Sequence, residues 1–239
     1  MISSLPRTLW QASLRFLFPP LACCSLCGTV LDTNLDDGLC PSCLSRMPWI
    51  EGLVCSRCGL PDVDNQGSCP DCGHMDASFS TSHALWRYQA DAKNVVHLYK
   101  FQKRVHLAHA LAELMVQRLL PLYPCTYDVV TYVPMQQRAV RARGYNQARV
   151  LAEQVAIRAH MPCQGLLRKV QSIRPQHRLR REERLHNIEG VFTVASGVTV
   201  PLRVLLVDDV VTTGTTVHAC SIALLEAGAS EVGILSIAR

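Results

Sequence analysis

An α/β fold built on a parallel sheet, preceded by a small cysteine-rich module, is the architecture that this 239-residue sequence predicts. Three observations predict it. Two apolar runs without polar alternation, residues 128–133 and 204–207, have the character of strands buried on both faces, as parallel strands are. Each leads through a turn into a segment of helical pattern, the order of a strand–helix unit. Four Cys-x-x-Cys pairs crowd residues 24–72, ahead of both runs.

Composition sets the outer limits. The chain is 49% hydrophobic, enough to fill a core, and its length suits one medium domain with an accessory module. The net charge of +5 is unevenly spread: residues 1–79 carry four basic and eight acidic side chains, residues 138–184 twelve basic and three acidic. So basic a stretch suits phosphates, on a small molecule or on nucleic acid. No run reaches transmembrane length, and residues 1–21, interrupted by Arg7, Arg15, Pro19 and Pro20, make a poor signal peptide. The expectation is a cytoplasmic protein whose twelve cysteines bind metal rather than pair as disulfides.

Along the chain, Leu5, Leu9, Trp10, Leu14, Leu17 and Phe18 fall at helical spacing and predict a short amphipathic helix ended by Pro19-Pro20. The pairs Cys24/Cys27, Cys40/Cys43, Cys55/Cys58 and Cys69/Cys72 follow, with twelve residues between the first two pairs and ten between the last two. Each pair can form a knuckle whose sulfurs take two corners of a tetrahedron, so two knuckles close one zinc site. They read as two zinc ribbons with structural Zn²⁺; one zinc with a vestigial second set, or a dithiol redox pair, is the alternative. Sequential and interleaved pairings are both open, as are Cys23 in place of Cys24 and His74 in place of Cys72. Cys125, Cys163 and Cys220 lack knuckle partners and read as ordinary buried thiols. The polar stretch 73–83 places a boundary between an amino-terminal module, residues 1–79, and an α/β domain, residues 80–239.

Within the second part, residues 84–88 read as an edge strand and 107–120 as a helix stopped by Pro121. Between them Lys100 could reach a pyrophosphate, while Lys103 and Arg104 read as solvated. The strand at 128–133 ends at Pro134, and the segment 135–147 after it reads as a loop bearing Arg138, Arg141 and Arg143, with Asn146 capping a helix over 147–159. Arginine forks suit oxyanions, so this is a pyrophosphate or acceptor loop, or else a solvated basic turn. Residues 166–192 carry Arg168, Lys169, Arg174, Gln176, Arg178, Arg180, Arg181, Arg184 and Asn187 with few apolar anchors. That composition suits a lid over a phosphorylated substrate, a nucleic-acid contact, or a plain solvated helix.

The last unit carries the chemistry. After the strand at 204–207 come Asp208 and Asp209, then Val210, Val211, Thr212, Thr213, Gly214, Thr215 and Thr216, then a helix over 217–227 closed by Gly228. A helix amino terminus gathers unpaired N–H groups, Gly214 lets backbone approach an anion, and the threonine hydroxyls can donate to it. Carboxylates repel phosphate but accept from hydroxyls, so the acid pair suits a sugar diol and the loop its phosphate.

This stretch resembles the thirteen-residue signature of type I phosphoribosyltransferases, which bind phosphoribosyl pyrophosphate (PRPP). The whole chain is similar to the ComF/GntX family. The likeness rests on Phe18-Pro19-Pro20 before the first cysteine, the zinc knuckles, Val133-Pro134, Arg143-Gly144-Tyr145-Asn146-Gln147, Pro175-Gln176, Arg184-x-x-Asn187, the 207–216 signature and Ala238-Arg239. Tyr145 stands where the family commonly has Phe, and Arg174 where it often has a small hydroxyl residue. The resemblance implies a type I phosphoribosyltransferase-like domain behind a double zinc ribbon, Mg²⁺ with PRPP, and a role in natural transformation or use of external DNA. It assigns Asp208, Asp209 and Arg143 to the chemistry, and residues 210–216 with Pro134, Arg138 and Lys100 to substrate. Single-stranded DNA or a competence helicase would be the partner if the chain is a non-catalytic adaptor instead.

Overall fold

The computed structural model describes residues 23–31, 38–52, 54–55, 57–60, 69, 78–102, 104–123, 125–170 and 190–239. The expected amino-terminal helix, Cys72 and the segment with Arg174, Gln176, Arg178, Arg184 and Asn187 lie outside the described residues.

Four strands make a parallel sheet: β1 (Thr81–Trp86), β2 (Val129–Tyr132), β5 (Arg203–Val210) and β6 (Glu231–Ala238), in the order β1-β6-β5-β2. The helices α2 (Ala90–Phe101), α3 (Leu107–Arg118), α4 (Gln137–Arg143), α5 (Gln147–Arg158) and α6 (Thr215–Glu226) connect them, and β3 (Leu167–Lys169) and β4 (Phe192–Val194) form a separate antiparallel ribbon. Val204, Leu205, Leu206 and Val207 are fully buried because β5 is covered on both sides. Alternation along the strand sends Leu205 and Val207 into one core with α2, α3 and α5, and Val204 and Leu206 into a second core with α6 and the ribbon.

Three expectations are revised. β5 continues to Val210, so both aspartates stand in the strand, where ladder pairing of Asp208 with Ser236 and Val210 with Ala238 carries them. Most of the expected loop 135–147 is helix: α4 is a seven-residue run of good helix formers ended by Gly144 at φ 92°. Of the three lone cysteines only Cys220 is buried; Cys163 is exposed, and Cys125 is partly exposed with its thiol donating to Glu231 at 3.2 Å.

The first knuckle pair packs into the sheet domain. Cys24, Leu39, Cys40, Cys43 and Met47 share one apolar core with Trp86, Val95 and Leu107. Its short helix α1 (Pro41–Ser45) is followed by Trp49, which meets Trp86 edge-on at 5.6 Å and lies under the Arg118 guanidinium at 4.0 Å. Backbone bonds Ile50 N–H to Leu85 O and Arg87 N–H to Pro48 O join the two along β1. The second knuckle pair approaches β1 from the other end through Gly59: at φ +71° a Cβ there would lie 2.2 Å from the Ser82 carbonyl oxygen. Gly59→Ala is therefore expected to cost about 1–3 kcal/mol from forced overlap and positive φ. Urea unfolding would check it, with Gly52→Ala, also at positive φ but facing open space, as the comparison.

Candidate functional site

Parity along β5 sets the two aspartates apart. Asp209 follows Leu205 and Val207 onto the face covered by α2 and α5; it is 9% exposed and pairs with Lys100 Nζ at 2.9 Å. Asp208 continues the opposite face, and its Oδ1 accepts the Asp209 amide at 2.8 Å. Burial, with the neighbouring Asp209 carboxylate next, pushes the Asp208 carboxyl up to about 8. Near neutrality Asp208 thus holds its proton more firmly than an ordinary carboxyl.

A cavity of about 230 Å³ opens beside both aspartates near the end of the strand, lined by Lys100, Pro134, Arg143, Asn146, Gln147 and Lys169 among others. Arg143 reaches it from the last turn of α4 and stacks on Phe101 at 4.9 Å. Asn146 caps α5 by accepting from Arg149 N–H, and its amide donates to Val133 O at 3.1 Å, which ties the end of β2 to the start of α5. A larger cleft of about 660 Å³ shares Pro134, Met135, Asn146 and Lys169 with the first and extends past Tyr132, Tyr145 and Arg168.

Lys100, Pro134, Arg143, Asp208 and Asp209 are thus brought together. Arg138 is exposed on α4 and lines neither cavity. The 212–216 loop leaves the same edge of β5: Val211 is buried, Thr212 and Thr213 are exposed, Thr213 and Thr215 hydroxyls are 2.7 Å apart, and Gly214 at φ 76° begins α6 without a side-chain cap. None of these loop residues lines the smaller cavity. Sequence places Gln147 in the 143–147 family run and Lys169 in the basic segment 166–192 without a role for either at the acid pair; the structure puts both on this cavity. Gln147 ends the Arg-Gly-Tyr-Asn-Gln run and reads as the first residue of a helix, while Lys169 is one basic residue among many.

The cysteine clusters fit zinc. The sulfurs of Cys24, Cys27, Cys40 and Cys43 all lie within 4.8 Å of one another, as do those of Cys55, Cys58 and Cys69. A tetrahedron with Zn–S near 2.3 Å has edges of about 3.8 Å. The Cys27–Cys40 and Cys58–Cys69 separations are 3.6 and 3.5 Å. The amides of Cys40 and Cys43 point at the Cys24 and Cys40 sulfurs, stabilising thiolates. First pairs with second and third with the described member of the fourth, which removes the interleaved arrangement; exposed Cys23 stands outside the first cluster.

A zinc-ribbon module fused to a parallel-sheet α/β domain, with an acid pair and two cations at one strand end, defines the class of protein. Residues 13–73 match the family model of the double zinc ribbon domain. The chain is 30% identical over 229 residues to competence protein ComFC of Streptococcus pneumoniae, covering 90% of this chain and 99% of that protein. It is 30% identical over 208 residues to DNA utilization protein YhgH of Salmonella typhimurium, covering 84% and 90%. To ComFC of Bacillus subtilis it is 27% identical over 211 residues, 85% of each. The chain belongs to the family of the ComFC and YhgH proteins. Among solved structures it is similar to a glutamine PRPP amidotransferase from B. subtilis complexed with ADP and GMP, with 22% identity and a TM-score of 0.42 over 59% of this chain and 30% of that one.

No helix among the described residues is long and apolar enough to cross a membrane.

Proposed function

We propose that the cleft at the ends of β5 and β2 binds PRPP or a closely related phosphorylated ribose, and that the protein acts in DNA uptake or in the use of external DNA, in the cytoplasm. One observation carries the binding reading: the Asp208–Asp209 pair stands near the end of a buried strand beside Lys100 and Arg143, separated by Val210 and Val211 from a threonine–glycine loop at a helix start. The acids accept ribose hydroxyls, the loop amides and hydroxyls take the 5′-phosphate, and Arg143 with Lys100 faces the pyrophosphate. Mg²⁺ arriving with PRPP would neutralise charge on the leaving pyrophosphate. If transfer occurs, a nucleophile bonds to ribose C1 as the C1–oxygen bond to pyrophosphate breaks, and the larger cleft sharing a wall with the first is the place for that acceptor. The names of the ComFC and YhgH relatives support the DNA-related role.

Calorimetry with PRPP and Mg²⁺ tests the site. Wild-type protein is expected to bind, and Asp208→Asn with Asp209→Asn to lose at least about thirty-fold in affinity, roughly one charge-assisted and one neutral hydrogen bond. Undiminished binding by the double variant would overturn the assignment.

A second reading is favoured by the exposed Arg168 and Lys169 on the β3–β4 ribbon and exposed Arg138 and Arg141 on α4: a non-catalytic adaptor holding single-stranded DNA or a competence helicase. It predicts DNA affinity that falls steeply with salt and does not respond to Asp208→Asn.

A further inference from the structure

Gln147 is a polar side chain with 0% exposure at the first position of α5. A carboxamide so placed must bond at both ends or lose stability. Its Oε1 accepts from the Arg143 guanidinium at 3.3 Å, and its Nε2 donates to the Lys100 carbonyl at 3.3 Å. The same segment is fastened twice more: Tyr99 donates its hydroxyl to Gln147 O at 2.7 Å, and Tyr145 donates to Tyr99 O. Arg143 in turn stacks on Phe101, the residue after Lys100. The final turn of α2 and the final turn of α4 belong to different helices, and each delivers one cation to the smaller cavity.

We infer that Gln147 is a positioning residue: by bonding both the Arg143 guanidinium and the main-chain carbonyl of Lys100, it holds Arg143 against the turn from which Lys100 reaches Asp209. The inference builds on the proposed reading of this cleft as an oxyanion site. Two long cationic side chains on turns of different helices would each have to be ordered when a ligand arrives; a buried bridge helps to order their anchors beforehand. Cations so linked respond to a ligand as a unit, and their contributions to its binding are coupled rather than additive.

The test uses Gln147→Met, which keeps the volume and removes both side-chain bonds. Without ligand, acetylation of Lys100 by acetic anhydride is followed by peptide mass spectrometry, with exposed Lys93 on the same helix as reference. Lys100 labelling relative to Lys93 is expected to rise several-fold in the variant. With inorganic pyrophosphate and Mg²⁺, the variant is expected to bind on the order of ten-fold more weakly. Arg143→Ala and Lys100→Ala are expected to be non-additive in the wild-type background and additive in Gln147→Met. Unchanged Lys100 protection in a folded variant overturns the positioning role, as does coupling that survives Gln147→Met. A wild-type protein that fails to bind pyrophosphate overturns the oxyanion reading instead, and the labelling result still judges Gln147. Should Gln147→Met not fold, Gln147→Glu, which retains the acceptor for Arg143 and loses the donor to Lys100, is read by the same labelling.

Discussion

Cys40→Ser is expected to cost about 4 kcal/mol and to lower the main thermal unfolding midpoint by roughly 10 °C, while Cys58→Ser is expected to move it by less than half as much. The two positions are chemically alike, each the member of a sulfur cluster that touches the opposite knuckle, with four sulfurs described around Cys40 and three around Cys58. Their surroundings differ. Cys40 lies in the core that also holds Trp86, Val95 and Leu107, and it caps α1 by accepting from the Cys43 amide. Cys58 packs with Cys55, Cys69 and Leu60 in a cluster of its own. Structural zinc in small ribbons is worth on the order of 10 kcal/mol of folding free energy, and a lost thiolate forfeits much of it. At Cys40 that loss opens a wall of the main core; at Cys58 it frees a knuckle. Calorimetric scans of both variants, with and without a chelator, check the contrast. The chelator should bring wild type towards Cys40→Ser, and equal shifts at the two cysteines would mean that the first ribbon is not part of the core.

Much of this arrangement is legible in sequence because it is local. The unbroken run at 204–207 announces a covered strand, and the Cys-x-x-Cys spacing announces knuckles. The end of β5 is hidden in sequence because aspartate has low strand propensity, whereas backbone pairing with β6 through Val210 and Ala238 overrides it. The helix α4 was missed for the opposite reason. Its Gln-Arg-Ala-Val-Arg-Ala-Arg sequence favours helix, but no residue in it is buried, so there is no apolar stripe to see. What brings the cations to the cleft was beyond reach of sequence. The Lys100–Asp209 pair spans more than a hundred residues, and Gln147 is a residue type more often found in water.

The acid pair makes stability depend on Lys100. Lys100→Met is expected to destabilise the protein by about 2–3 kcal/mol at pH 8 and by less at lower pH. The partners are 20% and 12% exposed at their side chains, so removing the cation leaves Asp209 charged in a mostly dry place; the full cost of orphaning a deeply buried partner is about 3–5 kcal/mol, reduced here by the remaining solvent contact. The sign with pH follows from Asp208. Its folded carboxyl is raised from 3.8 to about 8, so between those values the native state binds the proton that the unfolded chain releases. Its contribution is therefore fully present below about pH 4 and is lost as pH rises towards 8. Lys100 opposes that rise, and without it the Asp208 carboxyl moves higher still, which carries the decline on to higher pH. Lys100→Met with Asp209→Asn removes both members and the like charge beside Asp208, so it should recover most of the loss and flatten the profile. Urea unfolding at pH 4, 6 and 8 measures all three proteins. If Lys100→Met weakened the fold equally at every pH, its effect would lie in packing of the lysine stem, and the charge balance of the cleft would have to be assigned to Arg143 alone.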